Sequence, residues 1–402
     1  MKLWHKDIPH DEEASSFAAA GDREADRRLL PYDCTGSMAH ATGLHAIGIL
    51  TDDELAALLE ALSAIREAAL QGETLMAPDD EDCHSAIERI LTERLGDTGR
   101  KIHTCRSRND QVLCALRLCY LDAAENVVDG VLAAITALMG LEERHGSVAF
   151  AGHTHTRKAM PTTVGDWARG YIAALRDSVS LLEAAASPLR SNPLGTGAGY
   201  GLPLPTDRAL VARELGFSKV DENGIYAQLS RTKHEKVLIA ALGAVMYDLN
   251  RMASDLVLFT HPDFGYFSLD PSVTTGSSIM PQKTNPDILE IIRGYYGVIV
   301  GLEVQAATVA HNLISGYHRD AQLAKGAVFS ALDITRSSLS MAARVLRTLS
   351  VDEARCAAGL SPDIYLTEKA YELVRQGVPF RTAYQQVANE YFSSLGKKEE
   401  SI

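Results

Sequence analysis

Residues 275–287, TGSSIMPQKTNPD, concentrate side chains that can handle a proton or an anion. The segment carries adjacent hydroxyls at Ser277 and Ser278, an ammonium at Lys283 and an amide at Asn285. A helical run follows, and the free backbone N–H groups at a helix start favour anions. A helix N-cap beside a solvated lysine has the same composition, so the residue types alone leave both interpretations open.

Two other segments also have spacings that suit chemistry. Residues 103–111, HTCRSRNDQ, place two arginines among Ser, Asn and Gln, and guanidinium groups bind carboxylate or phosphate oxygens in pairs. A solvated basic loop before a helix is the alternative. Residues 152–158, GHTHTRK, hold two nearby histidines, which suit metal ligation or proton transfer. No HExxH motif or Cys/His grouping supports a metal, so acid–base work is favoured.

Composition and charge exclude several function classes. The chain has 402 residues with 39 Lys and Arg against 52 Asp and Glu, so its net charge of −13 argues against a nucleic-acid partner. A local basic pocket for a small carboxylate is compatible with that charge. The glycine-rich segment 192–201 does not open a strand–helix–strand unit and predicts no dinucleotide site.

Neither a leader nor a membrane anchor is expected. The first residues are polar and acidic, and no apolar run reaches about 18 residues. The six cysteines include no CxxC pair, which argues against a disulfide scaffold or a zinc site. These features predict a cytoplasmic protein.

Long helices must position the polar segments. The proline-free windows 79–160, 206–261 and 287–361 show apolar residues at helical spacing, and strand-like alternation is nearly absent. Segments 236–260 and 288–313 are apolar on more than one face, so they need other helices around them. The chain is therefore predicted to be all-α, a long-helix bundle that continues into an oligomer.

Together the polar segments resemble the fumarase/aspartase superfamily and, within it, the argininosuccinate lyases. GSSIMPQKTNPD is similar to the superfamily signature, and HTCRSRNDQ, GHTHTRKAMP and NPLGTGAGYG are similar to segments of those lyases. Further matches are GSMAHA (36–41), EDCHSAIE (81–88) and GYHRDAQLAK (316–325). The resemblance implies an N-terminal helical domain (1–105), a central long-helix bundle and oligomerisation domain (106–350) and a short C-terminal helical domain (351–402).

The resemblance also implies roles for individual residues. Ser277 matches a mobile-loop serine that acts as catalytic base, and Lys283 matches a lysine that helps to bind the developing charge. His155 matches the site histidine, and Glu290 matches the acid that hydrogen-bonds it. The opposite assignment, with His155 as base and Ser277 as acid, stays open. Expected substrate contacts are Ser37, Asp82, Ser107, Arg108, Asn109, Thr154, Asn285, Tyr317, Gln322 and Lys325.

Two stretches depart from the family pattern. Thr284 stands where a second lysine is usual, and segment 223–236 lacks the usual serine–aspartate–arginine–aspartate run. In that segment Arg231 and Lys233 flank Thr232, so Arg231 receives no role from the resemblance.

The reaction implied is the reversible β-elimination of argininosuccinate to arginine and fumarate in arginine biosynthesis, without a metal or organic cofactor. The Cβ proton is not acidic, so its removal needs cations and hydrogen-bond donors around the developing carboxylate dianion. The resemblance also implies a homotetramer whose sites are shared between subunits. The alternatives are another fumarate-releasing lyase, acting on adenylosuccinate, aspartate or an N-substituted aspartate, and a non-catalytic crystallin-like homologue.

Overall fold

The computed structural model describes residues 11–19, 22–77 and 79–399. Its helices are α1 (Glu12–Ala19), α2 (Asp22–Ala46), α3 (Asp52–Leu70), α4 (Cys83–Leu95), α5 (Asp97–Lys101), α6 (Arg108–His145), α7 (Val164–Ala186), α8 (Arg208–Glu214), α9 (Gly224–Leu229), α10 (Lys233–Phe259), α11 (Asp287–Thr308), α12 (Ala324–Thr348), α13 (Glu353–Gly359), α14 (Leu366–Arg375) and α15 (Phe380–Glu399). Its strands are short and form two-stranded pairs: β1 (Ala149–Thr154) with β2 (Arg157–Thr163), β3 (Ser191–Asn192) with β4 (Lys219–Val220), β5 (Phe267–Ser268) with β8 (Ser350–Val351), and β6 (Thr275–Gly276) with β7 (Thr284–Asn285).

The chain divides into two compact units. The first unit contains the residues up to Asp129, Ser178–Met246 and Tyr296–Ser337. The second unit contains Gly130–Asp177, Tyr247–Tyr295 and the residues from Ser338 onward. The long helices α6, α7, α10, α11 and α12 each contribute residues to both units.

In the first unit, a local sequence signal marks the start of α3, whereas in α2 tertiary packing overrides a local signal that would break the helix. Helix α3 begins at a capping box, in which Thr51 and Glu54 each accept the other's backbone N–H. Helix α2 instead continues through Pro31, although an interior proline costs a helix about 3 kcal/mol or more. The neighbouring Leu29 and Leu30 are buried, so packing of this turn offsets the missing hydrogen bond. An interior proline is therefore tolerated at this position.

A buried ion pair fixes α6 within the first unit. The guanidinium of Arg117 donates to Asp221 Oδ2 at 2.7 Å, to the carbonyl of Ser191 at 2.6 Å and to Ser230 Oγ at 3.0 Å. Arg117 is only 1% exposed, so these three hydrogen bonds take the place of the hydrogen bonds that its guanidinium would make with water.

The second unit places the β1–β2 hairpin on an aromatic cluster. The ring of Phe150 packs edge-on against Phe259, with ring centroids 5.4 Å apart, and against Tyr266 at 5.6 Å. Such edge-to-face pairs add to the stability gained from apolar burial. The hairpin therefore has a fixed base from which its turn projects.

The all-α prediction is confirmed, because long helices form within the three proline-free windows. Strands do form in one place that the near-absence of strand-like alternation did not indicate, because segment 151–165 forms most of the β1–β2 hairpin. One described helix, α6, is long and apolar enough to cross a membrane, a criterion that buried core helices also meet.

Candidate active site

The first unit contains a polar cavity of about 160 Å³, here called the main cavity. Six expected substrate contacts line it: Asp82, Arg108, Asn109, Tyr317, Gln322 and Lys325. The other lining residues are Asp22, Asp26, Glu81, His84, Val112, Arg231 and Arg319. Four carboxylates thus face three guanidinium groups and one ammonium. This composition suits a small ligand that itself carries charges of both signs.

Helix ends position the first two of these contacts. Asp82 caps α4, with its Oδ1 accepting the backbone N–H of Ser85 at 2.8 Å. Arg108 begins α6 and donates to Glu81 Oε2 and to Ser85 Oγ, both at 2.9 Å. Burial opposes ionisation of Asp82, but the charges of His84 and Arg108 outweigh it and lower the pKa of Asp82. Asp82 is therefore a fixed anion beside a fixed guanidinium.

Lys325 lies buried between two carboxylates. Its ammonium pairs with Asp22 and donates to Asp26 Oδ1 at 3.0 Å, and the residue is 4% exposed. Burial works against the charge, yet the two carboxylates raise the pKa of Lys325 above its usual value. Burial also raises the pKa of Asp22 to about 6, in spite of Lys325. The charge of Lys325 is thus already matched within the protein.

Arg231, left without a role by the sequence, lines the main cavity. Its guanidinium lies over the ring of Tyr317, 4.6 Å from the centroid, and donates to the carbonyl of Asn109 at 3.5 Å. Gln322 donates to the carbonyl of Ala18 at 3.4 Å. The sequence signal for Arg231 was its basic side chain in the variant polar segment just before α10, and the missing family run obscured it.

His84, also missed from the sequence, lines the cavity as half of a buried pair. Its Nδ1 lies 2.7 Å from Asp33 Oδ2, and Asp33 accepts a further hydrogen bond from the amide of Gln111 at 2.8 Å. Burial works against protonation, but Asp33 outweighs it and raises the pKa of His84. Asp33, Cys83 and His84 are close enough to share a metal ion. However, burial raises the pKa of the Cys83 thiol well above its usual value, and metals bind the thiolate.

Four expected substrate contacts are not among the described lining residues of the main cavity: Ser37, Ser107, Thr154 and Asn285. Ser37 is fully buried in α2, where its Oγ accepts from Arg106 Nη1 at 2.7 Å. Ser107 precedes α6, and its Oγ accepts the backbone N–H of Asn109 at 3.2 Å. In this chain Ser37 therefore supports the segment that carries the cavity's Arg108.

Asp110 ties the glycine-rich segment 192–201 to the start of α6. Its Oδ2 accepts the backbone N–H groups of Gly195 at 3.1 Å and Gly197 at 2.8 Å, and its Oδ1 accepts that of Ser107 at 3.0 Å. Burial raises the pKa of Asp110 to about 6 although these N–H groups favour the anion. The glycine-rich segment is thus anchored next to residues 107–109.

In the second unit, the expected site residues Thr154 and His155 lie at the tip of the β1–β2 hairpin. His155 and Thr156 form a two-residue turn with φ of 53° and 57°, as a type I′ turn requires. The other histidine, His153, packs against Phe264 at 5.5 Å, and burial lowers its pKa with help from Lys158. The structure therefore separates the two histidines, and only His155 is exposed at the tip.

The loop that contains Ser277 is closed by the β6–β7 pair. Ser277 Oγ accepts the backbone N–H of Met280 at 3.2 Å and that of Ile279 at 3.4 Å. Asn285 donates to the carbonyl of Gly276 at 3.3 Å, next to the serine. Two N–H donors aimed at one hydroxyl oxygen stabilise negative charge on it. This geometry favours Ser277 as a proton acceptor.

The two other residues expected to be catalytic, Lys283 and Glu290, lie in and just after that loop. Lys283 is an exposed loop residue, and Glu290 is in the first turn of α11. Within the described part of this chain, no hydrogen bond or ion pair joins Glu290 to His155. Their pairing stays a prediction for the assembled protein.

Comparison with known proteins decides the family. The sequence model of a family described as "Lyase" matches residues 11–301. An argininosuccinate lyase of Thermotoga neapolitana is 44% identical over 390 residues, 97% of this chain and 98% of the relative. The chain belongs to the argininosuccinate lyase family. An argininosuccinate lyase of Sorangium cellulosum is 41% identical over 97% of this chain and 90% of its own length.

The fold of this argininosuccinate lyase family member also matches a solved structure. A cobalt-bound "fumarate lyase:delta crystallin" from Brucella melitensis superposes with a TM-score of 0.78 at 20% identity, covering 97% of this chain and 91% of that chain. This likeness shows the fold alone. The long-helix bundle of the fumarase type is thereby confirmed, and the chain is a carbon–nitrogen lyase by family.

Proposed function

We propose that this protein is an argininosuccinate lyase, which cleaves argininosuccinate reversibly to arginine and fumarate in arginine biosynthesis. The observation that carries the proposal is the main cavity. It gathers Asp82, Arg108–Asn109, Tyr317 and Lys325 from segments far apart in the chain, with both charge signs. Argininosuccinate carries an ammonium, a guanidinium and three carboxylates, so it needs both.

Ser277 is the proposed base that takes the Cβ proton. A serine hydroxyl is a poor base at its free pKa and needs stabilisation of its ionised form. The backbone N–H groups of Ile279 and Met280 supply donors to Oγ, which supports this assignment. Loop closure over the substrate would then exclude water while the intermediate forms.

The developing carboxylate dianion needs positive charge and hydrogen-bond donors. Lys283 and Asn285 from the Ser277 loop, together with residues 107–109, are the proposed donors. His155, at its exposed hairpin tip, is the proposed acid that protonates the leaving guanidinium nitrogen, with Glu290 orienting its ring. Thr154 would contact the substrate beside it. No metal or organic cofactor takes part in this proposal.

A homotetramer with shared sites explains how His155 would reach Glu290. The proposal gives each site residues 107–109, 154–155 and 277–285 from three different subunits, with residues 106–350 as the oligomerisation domain between 1–105 and 351–402. The protein would act in the cytoplasm on a small-molecule substrate, without nucleic acid or membrane.

Mixing two inactive variants tests this assembly. His155→Asn and Ser277→Ala chains are denatured, mixed equally and refolded together. If the histidine and serine of a site come from different chains, random assembly restores roughly one quarter of wild-type activity. If both come from one chain, every site carries one lesion and no activity returns, which would refute the shared site.

A substrate panel tests the reaction itself. The ultraviolet absorbance of fumarate is followed with argininosuccinate, adenylosuccinate, aspartate and an N-substituted aspartate in turn. The proposal predicts fumarate release from argininosuccinate well above the others. Preference for another substrate would reassign the lyase, and no release from any would favour a non-catalytic homologue.

A further inference from the structure

Asp110, in the first turn of α6, is a buried carboxylate that the proposed reaction does not use. It is 0% exposed and directly follows Arg108 and Asn109, two residues that line the main cavity. A buried carboxylate is costly unless it is well hydrogen-bonded. The hydrogen-bond partners of Asp110 come from two segments that are far apart in the chain.

The first partner segment is the start of α6 itself. Asp110 Oδ1 accepts the backbone N–H of Ser107 at 3.0 Å, and Ser107 Oγ accepts the backbone N–H of Asn109 at 3.2 Å. This pattern resembles a capping box, in which two side chains satisfy the free N–H groups of a helix start. The backbone that carries Arg108 and Asn109 therefore lies between two hydrogen bonds.

The second partner segment is the glycine-rich one. Asp110 Oδ2 accepts the backbone N–H groups of Gly195 at 3.1 Å and of Gly197 at 2.8 Å. Both glycines have a left-handed backbone, with φ of 87° and 59°, which other residues adopt only at a cost. Arg208 fixes the same segment by donating from Nε to the carbonyl of Leu194 at 2.8 Å. The glycine-rich segment is thus a firm support for the start of α6.

A carboxylate suits these three donors better than any neutral group of the same shape. Both of its oxygens accept hydrogen bonds, whereas an amide has one acceptor oxygen and one NH2 donor. The NH2 of an asparagine at position 110 would face either the N–H of Ser107 or those of the two glycines. Hydrogen bonds to a charged acceptor are also stronger. An amide would therefore lose one of the two segments.

We propose that Asp110 is a positioning residue for the elimination, which clamps the glycine-rich segment to the start of α6 and so fixes how Arg108 and Asn109 face the substrate. The inference rests on the proposed function and deepens it, because residues 107–109 are the proposed donors to the developing carboxylate dianion. A misplacement of about 1 Å at such groups can cost roughly 10²-fold in rate. Asp110 itself touches no reacting atom.

Asp110→Asn tests the clamp because it removes the charge and keeps the side-chain shape. It should lower kcat for argininosuccinate at pH 8 by roughly tenfold to a hundredfold, the rate equivalent of one hydrogen bond to a charged group. KM should change less than kcat, because the lost stabilisation belongs to the transition state. Circular dichroism and size-exclusion chromatography check the fold and assembly of the variant.

A matched control lies in the same segment. The hydroxyl of Thr196 is buried and has no hydrogen-bond partner among the described residues. Thr196→Val removes this hydroxyl, keeps the side-chain shape and leaves the hydrogen bonds of Asp110 intact. Its kcat should equal that of wild type.

The pH dependence separates positioning from a general loss of folded enzyme. Burial raises the pKa of Asp110 to about 6, so at pH 5 most of the wild-type carboxyl is protonated and has a donor, as asparagine does. The groups whose charges face it are Arg106, Arg208 of α8 and the Cys114 thiol. None of them changes charge between pH 5 and pH 8, because arginines stay protonated and burial raises the pKa of the thiol. The ratio of wild-type to Asp110→Asn kcat should therefore fall towards one at pH 5.

A change at the other end of the clamp tests the same link independently. Gly197→Ala strains the left-handed backbone whose N–H reaches Asp110, whereas Gly201→Ala strains an exposed glycine with open space around it. Gly197→Ala should lower kcat, and Gly201→Ala should not. Because Asp110→Asn and Gly197→Ala act on one contact, the double variant should lose less than the product of the two single losses. Equal kcat values in the two glycine variants would overturn the inference even if Asp110→Asn failed to fold.

The outcomes distinguish this inference from the proposed function. Wild type that cleaves argininosuccinate while Asp110→Asn keeps its full kcat would overturn the inference alone. A kcat ratio that is the same at pH 5 and pH 8, or losses that multiply in the double variant, would also overturn it. If wild type prefers another substrate of the panel, the proposed substrate is refuted and the same ratios on that substrate decide the inference. Wild type that releases no fumarate from any of them would refute both.

Discussion

Replacing Asp22 by asparagine should stabilise the protein at pH 8 while weakening substrate binding. Burial raises the pKa of Asp22 from 3.8 to about 6, so the folded protein holds this proton more tightly than the unfolded chain. The stability linked to the proton is fully present below pH 3.8 and is lost as the pH rises through about 6. A difference of about 2.2 pH units corresponds to about 3 kcal/mol. Asparagine is neutral at every pH and avoids this loss.

Denaturant unfolding at two pH values measures the effect. At pH 8 the unfolding free energy of Asp22→Asn should exceed that of wild type by up to about 3 kcal/mol. At pH 5 wild-type Asp22 is mostly protonated, so about 1.4 kcal/mol of the difference should disappear. Glu24→Gln, an exposed change on the same helix, should stay within about 0.5 kcal/mol of wild type at both pH values.

The same variant should raise KM for argininosuccinate, because it removes a carboxylate that lines the main cavity. An unfolding free energy equal to or below that of wild type at pH 8 would refute the argument from burial. A gain that stays constant between pH 5 and pH 8 would refute the assignment to the Asp22 proton. An unchanged KM would show that the Asp22 carboxylate does not contribute to substrate binding.

Three further changes test other parts of the structure. Ser277→Ala should fold, bind substrate and lose roughly 10²–10⁴-fold in kcat, whereas Ser278→Ala should keep near-wild-type kcat. Normal turnover of Ser277→Ala would show that its hydroxyl takes no part in the mechanism. Lys283→Ala should lower kcat and Gln322→Ala should mainly raise KM, and reversed effects in steady-state kinetics would show that the two ends of the site are exchanged. Arg117→Met should lower the unfolding free energy by about 3–5 kcal/mol in denaturant titrations, because it leaves the Asp221 carboxylate buried without its partner; a loss below about 1 kcal/mol would contradict that role.

Helix positions were predictable from the sequence because the helices are long and free of interior proline over most of their length. The windows 206–261 and 287–361 contain α10, α11 and α12. Helical periodicity summed over many residues is a strong signal. The β1–β2 hairpin lacks such a signal, and its Phe150 packs against Phe259, which is distant in sequence.

Site residues that belong to sequence motifs were predictable, whereas residues whose position depends on burial were not. The motif residues Asp82, Arg108 and Tyr317 do line one cavity. No motif indicated that Ser37 would be fully buried under Arg106, because burial depends on how α2 packs.

The hairpin tip has a consequence for protein engineering. Left-handed backbone costs a residue other than glycine roughly 1–2 kcal/mol, and His155 and Thr156 both adopt it. An Asn-Gly pair would suit this turn better but would delete the imidazole. A designer seeking a more heat-resistant enzyme would therefore change position 156 alone to glycine and keep the histidine.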